Sequence, residues 1–155
     1  MPTKTFYNNA LKTILWLGLV TGTLDAAWAI MFNLNLGPEV IFRYIASGMF
    51  GKAAFAGGPE MIVAGVVFHY LTAYLFTTAF YVWYPAFLTG LKNKYIVAIV
   101  YGAFAWMIMN LAVIPLSKIG TFPAHPLPII KGVLALIICI GLPVVLVADK
   151  HNKQS

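Results

Sequence analysis

The chain has 155 residues, of which 61% are hydrophobic and only 9% charged, and its mean hydropathy is +0.87. Soluble domains carry roughly 25% charged residues, so this sequence cannot cover a globule facing water and belongs in a bilayer. The net charge of +6 comes from Lys and Arg scattered at the ends of apolar runs, which is a membrane pattern and excludes a nucleic-acid footprint.

A spanning helix needs about 20 mostly apolar residues. Four stretches qualify: Lys12–Phe32, Glu60–Tyr84, Tyr95–Ser117 and Leu127–Ala148. Their runs are continuous and do not alternate, which argues for helices over a barrel. The length leaves no room for a water-soluble catalytic domain. Lys4, Lys12, Lys92, Lys94, Lys150 and Lys153 fall on one side of the spans; Arg43, Lys52, Lys118 and Lys131 fall on the other. That bias places both termini and the 85–94 loop in the cytoplasm.

The first span places a carboxylate, Asp25, inside "LVTGTLDAAWAIMF". Its helical neighbours Gly18, Thr21, Gly22 and Ala29 are small, and Gly18 and Gly22 form the small-xxx-small pair that lets helices approach closely in lipid. Asp25 therefore belongs on a packed face. Ala27-Trp28-Ala29 also resembles a signal-peptide cleavage site, but the apolar run continues past it and the region before it holds Asp25.

Between spans one and two, Gly37-Pro38-Glu39 and Gly58-Pro59-Glu60 are near-copies. Proline suits the first helical position and a carboxylate in the first turn complements the helix dipole, so each reads as a helix start. The helix from Pro38 to about Phe55 would be roughly 27 Å long. Arg43, Gly48, Gly51 and Lys52 break its apolar run, which predicts a short interfacial or re-entrant helix on the outer face.

The second span carries His69 and a stripe of hydroxyls, Tyr70, Tyr74, Thr77, Tyr81 and Tyr84, at spacings of three and four. Such a stripe either lines a wet crevice for a flat ligand or packs a helix with its hydroxyls bonded to backbone. Packing is the commoner use. Tyr84, Trp83 and Tyr95 suit the interfacial aromatic belt.

In the third span, "AWMIMNLAVIP" (105–115) echoes "AWAIMFNLNLGP" (27–38), pairing Trp106 with Trp28 and Asn110 with Asn33. The echo fits a duplicated hairpin or chance in a chain rich in Ala, Ile and Met. The fourth span holds Lys131 and the lone Cys139, and one cysteine makes neither an internal disulfide nor a CxxC metal site.

Asp25, His69 and Asn110 each lie roughly 10–13 Å from the outer end of their spans, with Lys131 nearer the surface and Arg43 in the connector. Charged residues at the centre of a spanning helix cost about 2.5–3.5 kcal/mol and generally pair or mark a pathway. A common polar cluster is expected, with His69 the first choice of partner for Asp25 and Lys131 or Arg43 next. Polar glue between helices is the competing use. Asp25, His69 and loop His125 could supply three zinc ligands, although no spacing signature supports them.

From His69, through the aromatic residues ending in Tyr84-Pro85 and the basic turn, to Gly102 and the Pro115-Leu116 exit, the order of features resembles that of YagU-type small inner-membrane proteins of bacteria. The resemblance covers about a third of the chain. It implies an uncharacterised multi-span protein and carries over no activity, cofactor or site.

The sequence therefore predicts an all-α integral membrane four-helix bundle, one domain over 1–155, in a bacterial inner membrane. Asp25 and His69 are its expected titratable centre, passing or sensing a small solute or a proton. No cofactor, metal or nucleic acid is expected, and its small-molecule ligand is open. Four helices are few for a transport path, so a homo-oligomer is expected in the lipid bilayer. A non-catalytic subunit or assembly factor is the alternative, and a membrane enzyme acting on lipid or quinone comes third.

Overall fold

The computed structural model describes residues 4–119 and 125–152, with side chains over 10–119 and 125–150; Lys153 lies outside the described residues. Every element is helical: α1 (Lys4–Met31), α2 (Gly37–Phe50), α3 (Ala53–Ala56), α4 (Pro59–Leu91), α5 (Lys94–Ile108), a π-helical turn (Met109–Val113), α6 (Ile114–Leu116), α7 (Pro126–Leu136), a second π-helical turn (Ile137–Gly141) and α8 (Leu142–Asn152). Four runs are long and apolar enough to cross a membrane: Ala10–Met31, Pro59–Leu91, Lys94–Leu116 and Pro126–Lys150. The protein is an all-α bundle of four membrane helices. The end of α8 and the α4–α5 turn share one end of the bundle with the start of α1, and the α1–α2–α3–α4 connector sits at the other.

Local chemistry sets the helix ends. Proline stands in the first turn of α2, α4 and α7, where its missing N–H has no helical partner to lose. Asn93 caps α5, its side chain accepting from the backbone N–H of Tyr95 at 2.9 Å and of Ile96 at 3.4 Å. Just before it, Lys92 takes a left-handed conformation (φ 55°) and donates its N–H to Leu88 at 2.8 Å, closing α4.

Leu17, Phe80, Tyr84, Val97, Tyr101 and Val144 are buried in the core, drawn from all four spans. Phe80 stacks on Tyr101 with ring centroids 3.8 Å apart, and the Tyr101 hydroxyl donates to the carbonyl of Phe76 at 2.7 Å. Spans three and four meet backbone to backbone. A Cβ on Gly102 would lie 2.7 Å from Ile137 Cα, and one on Gly141 would lie 2.7 Å from the Ala98 oxygen. The second π-helical turn is thus clasped against the small face of α5. In water the exposed stripe Val63, Val67, Leu71 and Leu75 along α4 would be an interaction liability; in a bilayer it is the lipid-facing side.

Two boundaries differ from the sequence reading. The second span was expected to stop at Tyr84 before Pro85, but α4 runs through Pro85 to Leu91. Proline is tolerated within membrane helices because local adjustments and neighbouring groups re-satisfy the carbonyl it frees four residues earlier. The connector helix expected over 38–55 divides at Gly51 (φ 61°) into α2 and α3. α2 packs chiefly across α4, with Phe42 on Gly65, and its far end meets the exit of span three, where Lys118 N–H donates to the Gly48 carbonyl at 2.9 Å.

Candidate functional site: Asp25 between two cavities

The site is built on the contact between α1 and α4. Gly18 and Gly22 leave room for the rings of Tyr74 and Tyr70, which occupy the space a Cβ would need at each glycine. Side chains then join the two helices rung by rung. The Tyr74 hydroxyl donates to the Leu15 carbonyl at 2.7 Å. The hydroxyls of Thr21 and Thr77 share a bond of 2.7 Å, and those of Thr23 and Tyr70 one of 2.9 Å. At the top, His69 Nε2 bonds the Gly22 carbonyl at 2.8 Å. Tyr70 and Tyr74 of the stripe are therefore packing residues with bonded hydroxyls. Tyr81 is half-buried and also engaged.

Asp25 stands one turn past Gly22 on the same face, where the rungs end. A cavity of ≈ 70 Å³ lies on one side of it, walled by Asp25, His69, Ile45, Phe76, Met109 and Ile140 among others. Every span and α2 contribute to that wall, so it marks where the bundle converges. On the other side is a cleft of ≈ 320 Å³ between α1 and α7, lined by Asp25, Trp28, Phe32, Asn33 and Lys131. Asp25 is the one residue common to both linings.

The bonding around Asp25 is sparse. The pairing expected for Asp25 is not formed: among the described residues no hydrogen bond or ion pair joins its carboxylate to His69, Lys131 or Arg43, which are turned to Gly22, the Phe32 ring and the Ala54 and Gly57 carbonyls; His69 shares the smaller cavity with it. A carbonyl can only accept, so His69 Nε2 donates to Gly22 and Nδ1 is left as the nitrogen that can gain or lose a proton. Lys131 Nζ sits over the Phe32 ring, 5.4 Å from its centroid, and Phe32 in turn lies against Trp28 at 4.5 Å. Asn33, also in the lining, donates its amide to the Ala29 carbonyl at 2.8 Å.

Asn110 and Arg43 stand apart from this arrangement. Asn110, buried in the first π-helical turn, donates to the carbonyl of Trp106 at 2.9 Å. Such turns are frequent at functional sites, but the side chain here serves its own helix. Arg43 donates to the carbonyls of Ala54 at 3.1 Å and Gly57 at 2.5 Å, so it ties α2 to the far side of the connector. His125 is exposed ahead of α7. Among the described residues no three His, Cys, Asp or Glu side chains gather as a metal centre.

A second polar site was missed by reading the sequence. At the other end of the bundle Asp149 is 6% exposed, accepts from the Tyr84 hydroxyl at 3.2 Å and pairs with Lys94 Nζ at 3.3 Å. It ties α8 to α4 and α5. Comparison with family models, curated proteins and solved structures finds no match for this chain.

Proposed function

We propose that this membrane protein passes or senses a proton or small polar solute, with Asp25 and His69 as its titratable centre. One observation carries the reading: a carboxylate inside an apolar span has no bonding partner among the described residues and lines two cavities. A structural carboxylate would be expected to hold something, as Asp149 does, because an ionised group in lipid is costly unless paired. Asp25 instead faces cavity space, where water, a proton or a solute can satisfy it. His69 lines the smaller cavity with it and supplies a second side chain able to carry a proton. The cleft would admit from the connector end, Asp25 would receive, and His69 would relay into the bundle.

Within the same proposal the protein sits in a bacterial inner membrane with both termini cytoplasmic, and a homo-oligomer completes the path that four helices alone leave short. The YagU-type resemblance over 69–115 adds kinship to the reading and no activity. The second reading, a subunit or assembly factor without transport, is favoured by the rungs between α1 and α4, which show polar groups used as glue.

Reconstitution in liposomes loaded with a pH-sensitive dye separates the two. Wild type should dissipate a pH gradient faster than empty vesicles, Asp25→Asn should abolish the difference, and His69→Gln should reduce it. Wild-type flux equal to that of empty vesicles would end the proton reading. If Asp25→Asn also lowered thermal stability in detergent, the structural role would take its place.

A further inference from the structure

We infer that the cleft between α1 and α7 is a binding site for a small zwitterion, its amino group received by Asp25 and its carboxylate by Lys131. This rests on the proposed role of Asp25 and names the class of solute that would meet it.

Two opposite charges line one cleft and are not paired with each other, since no N···O contact within 4.0 Å joins Asp25 and Lys131. In a largely apolar setting that arrangement calls for a third party. A cation alone would leave Lys131 uncompensated, and an anion alone would leave Asp25 so. Removing one partner from a desolvated pair is the costly case. A molecule carrying both charges satisfies each end with a charge-assisted hydrogen bond, roughly twice as strong as a neutral one.

The rest of the lining agrees. Lys131 is held within the cleft, its ammonium over the Phe32 ring at 5.4 Å, a contact that favours a cation there. Trp28 and Phe32 give an aromatic wall for the ligand's carbon chain. Asn33 lines the same cleft, and its side-chain oxygen can accept from an ammonium. Its ≈ 320 Å³ far exceeds the roughly 10–15 Å³ that one water requires, and lies at the small end of ligand pockets, about 300–1,000 Å³.

The test uses the purified full-length protein in detergent with three probes of increasing length: glycine, 4-aminobutyrate and 6-aminohexanoate. At least one should raise the melting temperature in a saturable way and change tryptophan fluorescence, with the fluorescence change lost in Trp28→Phe. Butylamine and butyrate at the same concentration should do neither. Lys131→Met and Asp25→Asn should each weaken binding about tenfold or more, and Lys131→Arg should retain it. The inference is overturned if no probe shifts either signal, or if butylamine or butyrate does as well as the zwitterions. Proton flux distinguishes this from the reading it rests on. Flux that depends on Asp25 with no zwitterion bound leaves the proton proposal standing and removes this one. Saturable zwitterion binding without flux does the reverse.

Discussion

The carbonyl of Phe42 rests on Gly65, in the space a side chain would need at that position. This is where the connector helix α2 docks on α4, with Ala46 and Ser47 buried beyond it and Phe42 set edge-on to His69 at 6.2 Å. The obstacle to a Cβ is backbone, which cannot rotate away. Gly65→Ala should therefore destabilise the protein by about 1–3 kcal/mol, the usual range for overpacking. Gly90→Ala, where nothing lies within 4 Å, should be neutral or slightly stabilising through helix propensity. Thermal unfolding in detergent reads both. Faster proteolysis between Gly51 and Gly58 in the Gly65 variant would place the damage at the α2–α4 contact.

Tyr74 allows ring packing and hydroxyl bonding to be weighed against each other. Its ring covers Gly18 and its hydroxyl bonds Leu15. Interhelical hydrogen bonds in lipid average about 0.6 kcal/mol, so Tyr74→Phe should lose no more than about 1 kcal/mol. Tyr74→Ala leaves a void against a glycine, and should lose about 2–4 kcal/mol on the scale of large-to-small substitutions. Equal losses in the two variants would mean that the bond, and not the ring, holds α1 to α4.

The two faces of that interface were legible in the sequence because each has a period, although their meeting was not. Gly18 and Gly22 recur at four residues, and Tyr70 and Tyr74 recur at four on the facing helix. Span positions were legible for the same reason, since hydropathy accumulates over about 20 residues. Asp149 was not. It sits at the end of an apolar run beside Lys150, where an acid reads as solvated, and only the fold brings Tyr84 and Lys94 around it. The two π-helical turns have no residue signature either, because one extra residue per turn is decided by the neighbouring helix, here Ala98 and Gly102 against 137–141. Arg43 shows the limit from the other direction. Its type suggested a partner for Asp25, yet carbonyls left open at the α3 end were nearer.

The Asp149 site makes its own prediction. Lys94 keeps 31% of its side chain exposed, so its pairing is screened and worth little, on the order of 1 kcal/mol or less. Tyr84 is fully buried, and Tyr84→Phe removes one hydrogen bond, worth about 0.5–1.5 kcal/mol, while keeping the ring. Asp149→Ala removes the acceptor common to both and leaves a buried hydroxyl unsatisfied. The order of destabilisation should be Asp149→Ala first, then Tyr84→Phe, then Lys94→Met. Chemical denaturation of the three variants measures it, and Lys94→Met as the most damaging change would show that charge, and not burial, dominates this end.

The span count can be tested without removing the native cysteine. Cys139 is 3% exposed inside the second π-helical turn, so a polar maleimide should leave it unmodified in the folded protein. Lys52, exposed in the connector just before α3, and Gly90, exposed in the last turn of α4, flank α4, a helix of 33 residues and hence about 50 Å long, more than the roughly 30 Å hydrocarbon core. In sealed right-side-out vesicles a membrane-impermeant maleimide should label Lys52→Cys directly and Gly90→Cys only after permeabilisation. Reversed labelling would keep the four spans and invert the orientation proposed from the basic residues. Labelling of both from one side is incompatible with α4 crossing the bilayer. It would place Asp25 and His69, which depend on α1 and α4 standing side by side in lipid, in a different solvent from the one their chemistry requires.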